Sequence, residues 1–212
     1  MRLGVPVAIQ GSIVNISSLF VQSYIAGTNG DQTAILGGYA TFTRIISILC
    51  QPAMVMVGTT AVFVAQSIGA GDTARARQGV RWAILIGLAG MVPICLATTL
   101  LADYIPYVFT SDESVVAMAS KLFAFLTLFY LIEPIAYPMV GALRGLGKTT
   151  TVLVVTLATQ IGARQIYLFV VANYISNEYI PVVFSIPFGL LLYCAAVIFL
   201  YLRSARRGLG PA

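Results

Sequence analysis

Glu133 is a single carboxylate inside the apolar run 123–140, and Pro134 and Pro138 follow it on the same stretch. A charge at the centre of a bilayer costs about 2.5 kcal/mol or more, so an acid kept there is expected to have a use. A proline leaves a backbone carbonyl without its helical donor, and carbonyl oxygens beside a carboxylate suit a small hard cation. The run therefore predicts a cation-binding site at Glu133 that exchanges H⁺ or Na⁺.

Polar residues at helical spacing extend this candidate site over four apolar segments. Inside a bilayer such side chains must face protein or water rather than lipid. We expect a substrate cavity lined by Asn15, Ser18, Gln22, Arg44, Gln51, Tyr130, Tyr137, Gln160, Arg164 and Tyr167.

Several of these residues also fit a structural role. Amides such as Asn15 and Gln51 could tie two helices together by a hydrogen bond worth about 0.6 kcal/mol. Arg44 could lie near the outer interface with its charge in water, and the tyrosines could be core or interface aromatics. Arg164 lies far inside its segment, which favours a cavity position or a partner such as Glu133 over lipid.

The composition places these residues in a membrane protein. Hydrophobic residues make up 59% of the 212 and charged residues 9%, against about 25% charged in globular proteins, and the mean hydropathy is +0.93. We predict an all-α polytopic membrane protein, and each predicted span exceeds the roughly 20 residues that cross a bilayer. The six spans are 3–26, 34–69, 77–102, 115–143, 149–173 and 180–202. The predicted helix kinks are Pro52, Pro134 and Pro138.

The basic residues predict the orientation, because cytoplasmic loops collect Lys and Arg. One set of loops and ends carries Arg2, Arg75, Arg77, Arg81, Arg144, Lys148, Arg203, Arg206 and Arg207, and the opposite loops carry Asp31, Asp103, Asp112, Glu113 and Glu178. Both termini are therefore expected in the cytoplasm, with residues 1–203 forming one six-helix lobe and 204–212 a short basic tail. The net charge of +5 is spread over several loops and does not predict nucleic-acid binding.

The sequence lacks the motifs of the common hydrolytic enzymes. It contains no His, so HExxH is absent, and it has no GxSxG. The stretch 142–149, ALRGLGKT, fits a phosphate-binding loop only if Ala replaces the first Gly, and the strand that such a loop needs is not predicted. We expect no enzymatic activity and no cofactor. No disulfide is expected either, because all three Cys lie in apolar segments.

Two motifs resemble those of the multidrug and toxic compound extrusion (MATE) transporters. VAQSIGAGD at 64–72, followed by RARQG at 75–79, is similar to a cytoplasmic turn of that family, and GALRGLG at 141–147 is similar to the loop after its tenth helix. GVPVAIQ at 4–10 is a weaker third match. The glycines allow a tight reversal, and the arginines anchor it at the inner leaflet. The turn residues of interest are Gln66, Gly69, Gly71, Asp72, Arg75, Arg144 and Gly145.

The resemblance implies the C-terminal one of two six-helix lobes, in a secondary antiporter that exports amphipathic or cationic drugs in exchange for H⁺ or Na⁺. It implies a role for Glu133 in the cation site of that lobe. A second acid that some members carry in the first helix of the lobe is missing, since residues 12–15 read SIVN.

The expected partners are the lipid bilayer, a drug-like small molecule and a second six-helix lobe. That lobe could be a missing N-terminal half, another chain or a second copy about a two-fold axis. The expected location is a bacterial cytoplasmic (inner) membrane.

Two other functions stay open. A lipid-linked oligosaccharide flippase of the same superfamily would need several basic residues inside the spans, and Arg44 and Arg164 fit that requirement. A membrane scaffold or fragment that does not transport would use the polar stripes only for helix association.

Overall fold

The computed structural model describes residues 4–28, 30–175 and 179–206. All regular structure within these ranges is helical, which confirms the all-α prediction. A helix satisfies its backbone hydrogen bonds inside its own segment, as an apolar chain in lipid requires. Three charges of the orientation prediction, Arg2, Glu178 and Arg207, lie outside the described residues, as does the 207–212 part of the predicted tail.

The described helices follow one another with short connections. The α-helices are α1 (Gly4–Ala26), α2 (Gln32–Leu49), α3 (Gln51–Gly69), α4 (Thr73–Leu100), α5 (Glu113–Leu126), α6 (Glu133–Gly145), α7 (Thr149–Thr156), α8 (Arg164–Val170), α9 (Tyr179–Val183) and α10 (Ser185–Arg206). Tighter 3₁₀ turns occupy Ile105–Val108 and Thr127–Ile132, and wider π-helical stretches occupy Leu157–Ala163 and Val171–Ile175.

Five helical stretches in the described part of the chain are long and apolar enough to cross a membrane. They are Gln51–Gly69, Thr73–Leu100, Glu113–Gly145, Thr149–Tyr174 and Tyr179–Arg206, and each overlaps a predicted span. The predicted first span is helical as α1, but it is not among the five. The count of six spans therefore stays a prediction.

The predicted span 34–69 is two helices rather than one. α2 ends at Leu49 and α3 begins at Gln51, so Cys50 separates them two residues before Pro52. Pro52 has no N–H to donate to the carbonyl one turn earlier, so it fits the first turn of α3 and ends the helix before it. Because α2 packs along α5 and α3 packs along α6, both halves of the predicted span 34–69 run beside the fourth predicted span, 115–143.

Gly141 and Gly145 of α6 lie one turn apart and face α3. A Cβ at Gly145 would lie 2.5 Å from the carbonyl oxygen of Ala61, and a Cβ at Gly141 would collide with the carbonyl oxygen of Val57. Small residues four apart let helix backbones approach closely in membranes. Gly145, which the resemblance placed in a loop, thus lies in the last turn of α6 as a packing residue.

Two apolar clusters form the core, one around Phe42 and the other around Val140. Tyr130 and Tyr137 pack against both clusters. Glu133 lies between these tyrosines in the chain, so the carboxylate is placed where the two clusters meet.

Aspartates in the connections set where three helices begin. Asp31, Asp72 and Asp112 each accept a hydrogen bond from a backbone N–H in the first turn that follows. Hydrogen bonds from Ser114 hold the pKa of the exposed Asp112 carboxyl below its ordinary value. These acids, predicted as loop charges, thus also serve as N-caps.

Candidate functional site

A cavity of about 590 Å³ opens between α1, α3, α6, α10 and the π-helical stretch Leu157–Ala163 with its flanking helices. Its volume lies within the range of small-molecule pockets, about 300–1,000 Å³. The polar residues that line it are Gln10, Asn15, Tyr130, Glu133, Tyr137, Arg144, Thr156, Gln160, Arg164 and Tyr193.

Glu133 is buried at the start of α6, with 4% of its surface exposed. Its Oε1 accepts a hydrogen bond of 3.0 Å from the Tyr137 hydroxyl, and its Oε2 has no hydrogen-bond partner. The Cys50 side chain lies beside the same carboxyl. The second oxygen is thus buried, with no hydrogen-bond partner apart from the Cys50 thiol beside the carboxyl.

The backbone before Glu133 differs from the sequence-based expectation. Pro134 cannot donate to the carbonyl of Tyr130, and we expected that carbonyl to be free. The 3₁₀ turn Thr127–Ile132 brings the N–H of Glu133 to it instead. The prediction of a free carbonyl at this position was wrong, because a tighter turn supplies another donor.

Arg164 also lines the cavity and is buried, with 8% exposed. Its Nη1 lies 3.5 Å from the Ser17 hydroxyl oxygen and 3.5 Å from Oε1 of Gln160. Its Nε has no hydrogen-bond partner. The contacts of Arg164 and Glu133 thus do not join them, so the alternative of an ion pair between them is not realised in this structure.

The helix that carries Arg164 is irregular at the cavity. Thr156, Gln160 and Arg164 follow one another at steps of four, and the stretch between them is π-helical. A π turn is wider than an α turn, so residues four apart stay on one face. The local irregularity therefore keeps all three side chains on the cavity wall.

A hydrogen-bonded chain crosses the cavity between three helices. Nη2 of Arg144 donates to Oε1 of Gln10 at 2.7 Å, and Nε2 of Gln10 donates to the Thr156 hydroxyl at 2.8 Å. Tyr193 of α10 lies beside Thr156 and Gln10. Arg144, predicted as a headgroup anchor in a turn, instead lies in the last turn of α6 and reaches the cavity.

The sequence-based site lacked Gln10, Thr156 and Tyr193 and gave Arg144 another role. A signal existed for two of them. Thr156 precedes Gln160 by four residues, and Arg144 lies on the face of Glu133 and Tyr137 at helical spacing. Nothing in the sequence distinguishes Tyr193 from the other tyrosines.

Five predicted cavity residues do not line it. Tyr167 donates from its hydroxyl to the carbonyl of Pro181 at 3.2 Å and stacks on Phe188, with ring centroids 4.8 Å apart. Ser18 is half-buried outside the cavity. The remaining three are exposed on the surface of the described lobe, and they are Gln22, Arg44 and Gln51.

The physical reasons for these positions differ. Gln22 shares a helix face with Asn15 but lies two turns further along α1, beyond the end of the cavity. Arg44 belongs to α2, which packs mainly on α5 and contributes no residue to the cavity wall. Gln51 follows the break between α2 and α3 at Cys50, so its side chain does not lie on a continuation of the helix face that carries Arg44.

The motif at 66–75 forms the reversal between α3 and α4. Gly71 has a φ of +77°, a conformation that favours glycine. Asp72 caps α4 by accepting a hydrogen bond of 2.8 Å from the N–H of Arg75. Gln66 and Gly69 are exposed at the end of α3. This segment is therefore a structural turn away from the cavity.

Comparisons with known proteins agree on one family. The MatE family model matches residues 6–170. The chain is 26% identical, over 94% of its length, to a probable multidrug resistance protein NorM of Mannheimia succiniciproducens, of which it covers 43%. Its fold matches a MOP superfamily transporter from Pyrococcus furiosus with a TM-score of 0.83 at 17% identity, over 96% of this chain and 45% of that one.

A mutant of the Vibrio cholerae MATE transporter VcmN gives a similar result, with a TM-score of 0.82 at 20% identity over 96% of this chain and 46% of that one. The chain thus spans less than half the length of the relatives it matches.

Proposed function

The chain belongs to the MatE family of multidrug and toxic compound extrusion transporters, and on that basis we propose that it forms the C-terminal six-helix lobe of a secondary antiporter. The lobe exports amphipathic or cationic compounds in exchange for H⁺ or Na⁺. The apolar helices and the family make it an integral membrane protein. We propose a bacterial cytoplasmic membrane with both termini on the cytoplasmic side, as the distribution of basic residues favours.

The environment of Glu133 carries the proposal. It is a buried carboxylate in a cavity, with one oxygen bound by Tyr137 and the other unpartnered. The other described carboxylates, Asp31, Asp72, Asp103, Asp112 and Glu113, are exposed. A proton or Na⁺ on Glu133 cancels the charge that would attract a cationic group, so ion and substrate compete for the site.

A second lobe is supported by polar side chains on the surface of this one. Asn15, Gln22 and Gln51 are exposed in the described lobe although their helices are otherwise apolar. Amides that face lipid lose hydrogen bonds to water at a cost. We propose that this surface faces a second lobe, supplied by an N-terminal half, another chain or a second copy.

Replacement of Glu133 by Gln tests the proposal. Glu133→Gln keeps the shape and removes the charge, so we expect ion-dependent dye efflux to be lost in cells that express the complete transporter. Glu113→Gln is the matched control, because Glu113 is exposed at the start of α5. Membrane insertion of both variants is measured in parallel. A Na⁺ titration of efflux at fixed pH distinguishes Na⁺ from H⁺ as the coupling ion. Unchanged efflux by correctly inserted Glu133→Gln would refute the assignment.

A lipid-linked oligosaccharide flippase is the second candidate, and one observation favours it. Arg144 and Arg164 both line the cavity, against a single carboxylate. Flipping of a pyrophosphate-linked sugar lipid by proteoliposomes, with no ion-dependent dye efflux, would favour this alternative. A purified chain that binds neither ions nor dyes would favour the scaffold.

A further inference from the structure

A cleft of about 360 Å³ opens to the surface between α4, α6 and α10, and three arginines line it. Arg77 and Arg81 come from the first three turns of α4, and Arg206 comes from the last turn of α10. All three side chains are exposed. Helices distant in sequence thus bring three guanidinium groups to one cleft, and none of its residues lines the cavity that holds Glu133.

The protein engages these arginines only in part. Nη2 of Arg77 donates to the carbonyl oxygen of Ala205 at 2.8 Å. Carbonyls in the last turn of a helix lack an intrahelical donor, so this bond joins the start of α4 to the end of α10. Arg81 and Arg206 make no hydrogen bond or ion pair with another described residue. Because a guanidinium has five donors, most donors in the cleft stay free for a ligand.

The described lining of the cleft contains no carboxylate that would neutralise the arginines. Its Tyr201 hydroxyl interacts electrostatically with Arg77 and Arg81. A second hollow shares these two arginines, and the residues that line it are also without an acid in the described part of the chain. Asp72, which precedes α4, is engaged as the N-cap of that helix. Charge complementarity therefore favours an anionic occupant.

The two hollows change from polar to apolar along α4. The hollow at the start of the helix is lined by Thr73, Ala74, Arg77, Gln78 and Arg81. The cleft reaches further along α4, and its apolar lining consists of Val80, Ile84, Met139, Leu202 and Ala205. A fitting occupant therefore has a charged end near the start of α4 and an apolar chain beside it.

The arginines lie at the ends of two stretches that are long enough to reach the lipid headgroups. Thr73–Leu100 and Tyr179–Arg206 have 28 residues each, which corresponds to about 42 Å of helix. A bilayer with its headgroup regions is about 40–45 Å thick. Arg77 is near the start of the first stretch, and Arg206 is the last residue of the second. Basic pockets between membrane helices at this level suit acidic lipid headgroups.

We propose that this cleft is a binding site for an anionic phospholipid. The phosphate is held by Arg77, Arg81 and Arg206, since guanidinium groups bind phosphate oxygens through paired hydrogen bonds. One acyl chain lies in the apolar part of the cleft, along Ile84 and Leu202. The bound lipid bridges α4 and α10 on the surface of the lobe. This site goes beyond the proposed transport function and does not depend on it.

Native mass spectrometry of the purified chain in detergent tests the site. The chain is mixed with equal amounts of palmitoyl-oleoyl phosphatidylglycerol and palmitoyl-oleoyl phosphatidylcholine, which share their acyl chains and differ in net charge. The ratio of the two lipid adducts is measured on the low charge states, which belong to folded protein. This ratio therefore does not depend on the fraction of folded chain.

We expect the wild type to prefer phosphatidylglycerol about tenfold, and Arg81→Gln combined with Arg206→Gln to reduce that preference to about twofold or less. Arg44→Gln combined with Lys121→Gln is the matched control. It removes the same charge from exposed positions on α2 and α5, and it should leave the preference unchanged.

Leu202→Trp tests the apolar half of the site. Leu202 is exposed and lines the cleft, so a larger side chain there should exclude the acyl chain. We expect binding of phosphatidylglycerol to fall about tenfold although all three arginines remain. Leu191→Trp, at another exposed position of α10, should leave binding unchanged.

The site would be overturned by equal adducts of the two lipids on the wild type, by the same preference in the Arg81→Gln and Arg206→Gln double variant, or by unchanged binding in Leu202→Trp. An equal loss in the Arg44→Gln and Lys121→Gln control would show that net charge alone attracts the lipid. Displacement of the lipid by an equimolar amount of its acyl-free headgroup, glycerophosphoglycerol, would show that a soluble phosphate occupies the cleft instead.

Discussion

The two ends of α6 have opposite environments. At its start, Glu133 follows a 3₁₀ turn and keeps one oxygen unpartnered beside a cavity. At its end, Gly141 and Gly145 lie against α3 with no room for a side chain. The lobe thus keeps unsatisfied polar groups where a ligand can enter, and it keeps close backbone packing where helices must hold together. The packed end is not purely structural, because Arg144 on another face of the last turn still reaches the cavity.

The largest expected effect comes from Gly141→Leu at the packed end. The new side chain would collide with the α3 backbone at Val57 and with Cβ of Thr60, 3.0 Å from the position of a Cβ. We expect the folded lobe to lose about 3 kcal/mol or more. Thermal unfolding can be followed with a maleimide dye, because Cys50, Cys95 and Cys194 are free and buried.

Gly58→Leu is the control for this variant. Gly58 lies on α3 itself, and no atom lies within 4 Å of the Cβ that it would gain. A comparable loss of stability in both variants would contradict the view that close packing of α6 on α3 is what matters.

The next effect in size is expected for Gln10→Leu, which breaks the hydrogen-bonded chain across the cavity. Arg144 and Thr156 would each lose a partner, and the free energy of unfolding should fall by about 1–3 kcal/mol. Differential scanning calorimetry in detergent measures this loss. Gln66→Leu replaces an exposed amide near the end of α3 and should change the free energy of unfolding little. Equal losses in the two variants would show that the hydrogen bonds of Gln10 add no stability.

Glu133→Met should have a smaller effect of the opposite sign. It replaces a buried carboxyl that has one unpartnered oxygen, so the free energy of unfolding should rise by about 1 kcal/mol. Any stabilisation that added Na⁺ gives to the wild type should be absent in Glu133→Met. The maleimide assay with and without Na⁺ measures both effects, and a less stable variant would mean that Glu133 supports the fold.

The smallest effect on stability is expected for Gly189→Ala. The added Cβ would lie 3.2 Å from Cδ of Arg164, so the guanidinium must move by a few tenths of an ångström. We expect the free energy of unfolding to fall by less than about 1 kcal/mol, because Cδ belongs to a flexible side chain that can move, and differential scanning calorimetry measures this loss. A loss of stability like that of Gly141→Leu would make Gly189 a packing residue rather than a support for Arg164.

The sequence made part of the cavity predictable because local spacing encodes a helix face. Tyr130, Glu133 and Tyr137 lie on one face of the fourth predicted span, and all three line the cavity. Asn15, Gln160 and Arg164 were found in the same way. Periodicity identifies the polar side of a helix without knowing what lies opposite it.

The same reasoning gave no information where a partner helix distant in sequence decided the position of a side chain. Gln10 and Arg144 are 134 positions apart in the chain, and Gln10 and Thr156 are 146 apart. Arg44 and Gln51 carry the right chemistry, but their helices pack so that both side chains face outward. Spacing along one helix carries no information on which helix faces it.

The sequence by itself determined that this is an all-helical membrane protein of the MATE kind with one acid in its interior. Apolar length, helical period and the cost of a buried charge act locally, so they can be derived from the chain alone. Only the tertiary structure decided that Glu133 and Arg164 line one cavity without pairing and that Gly141 and Gly145 pack on α3. Those outcomes depend on how helices distant in sequence fit together, since close packing admits few arrangements of the same polar faces.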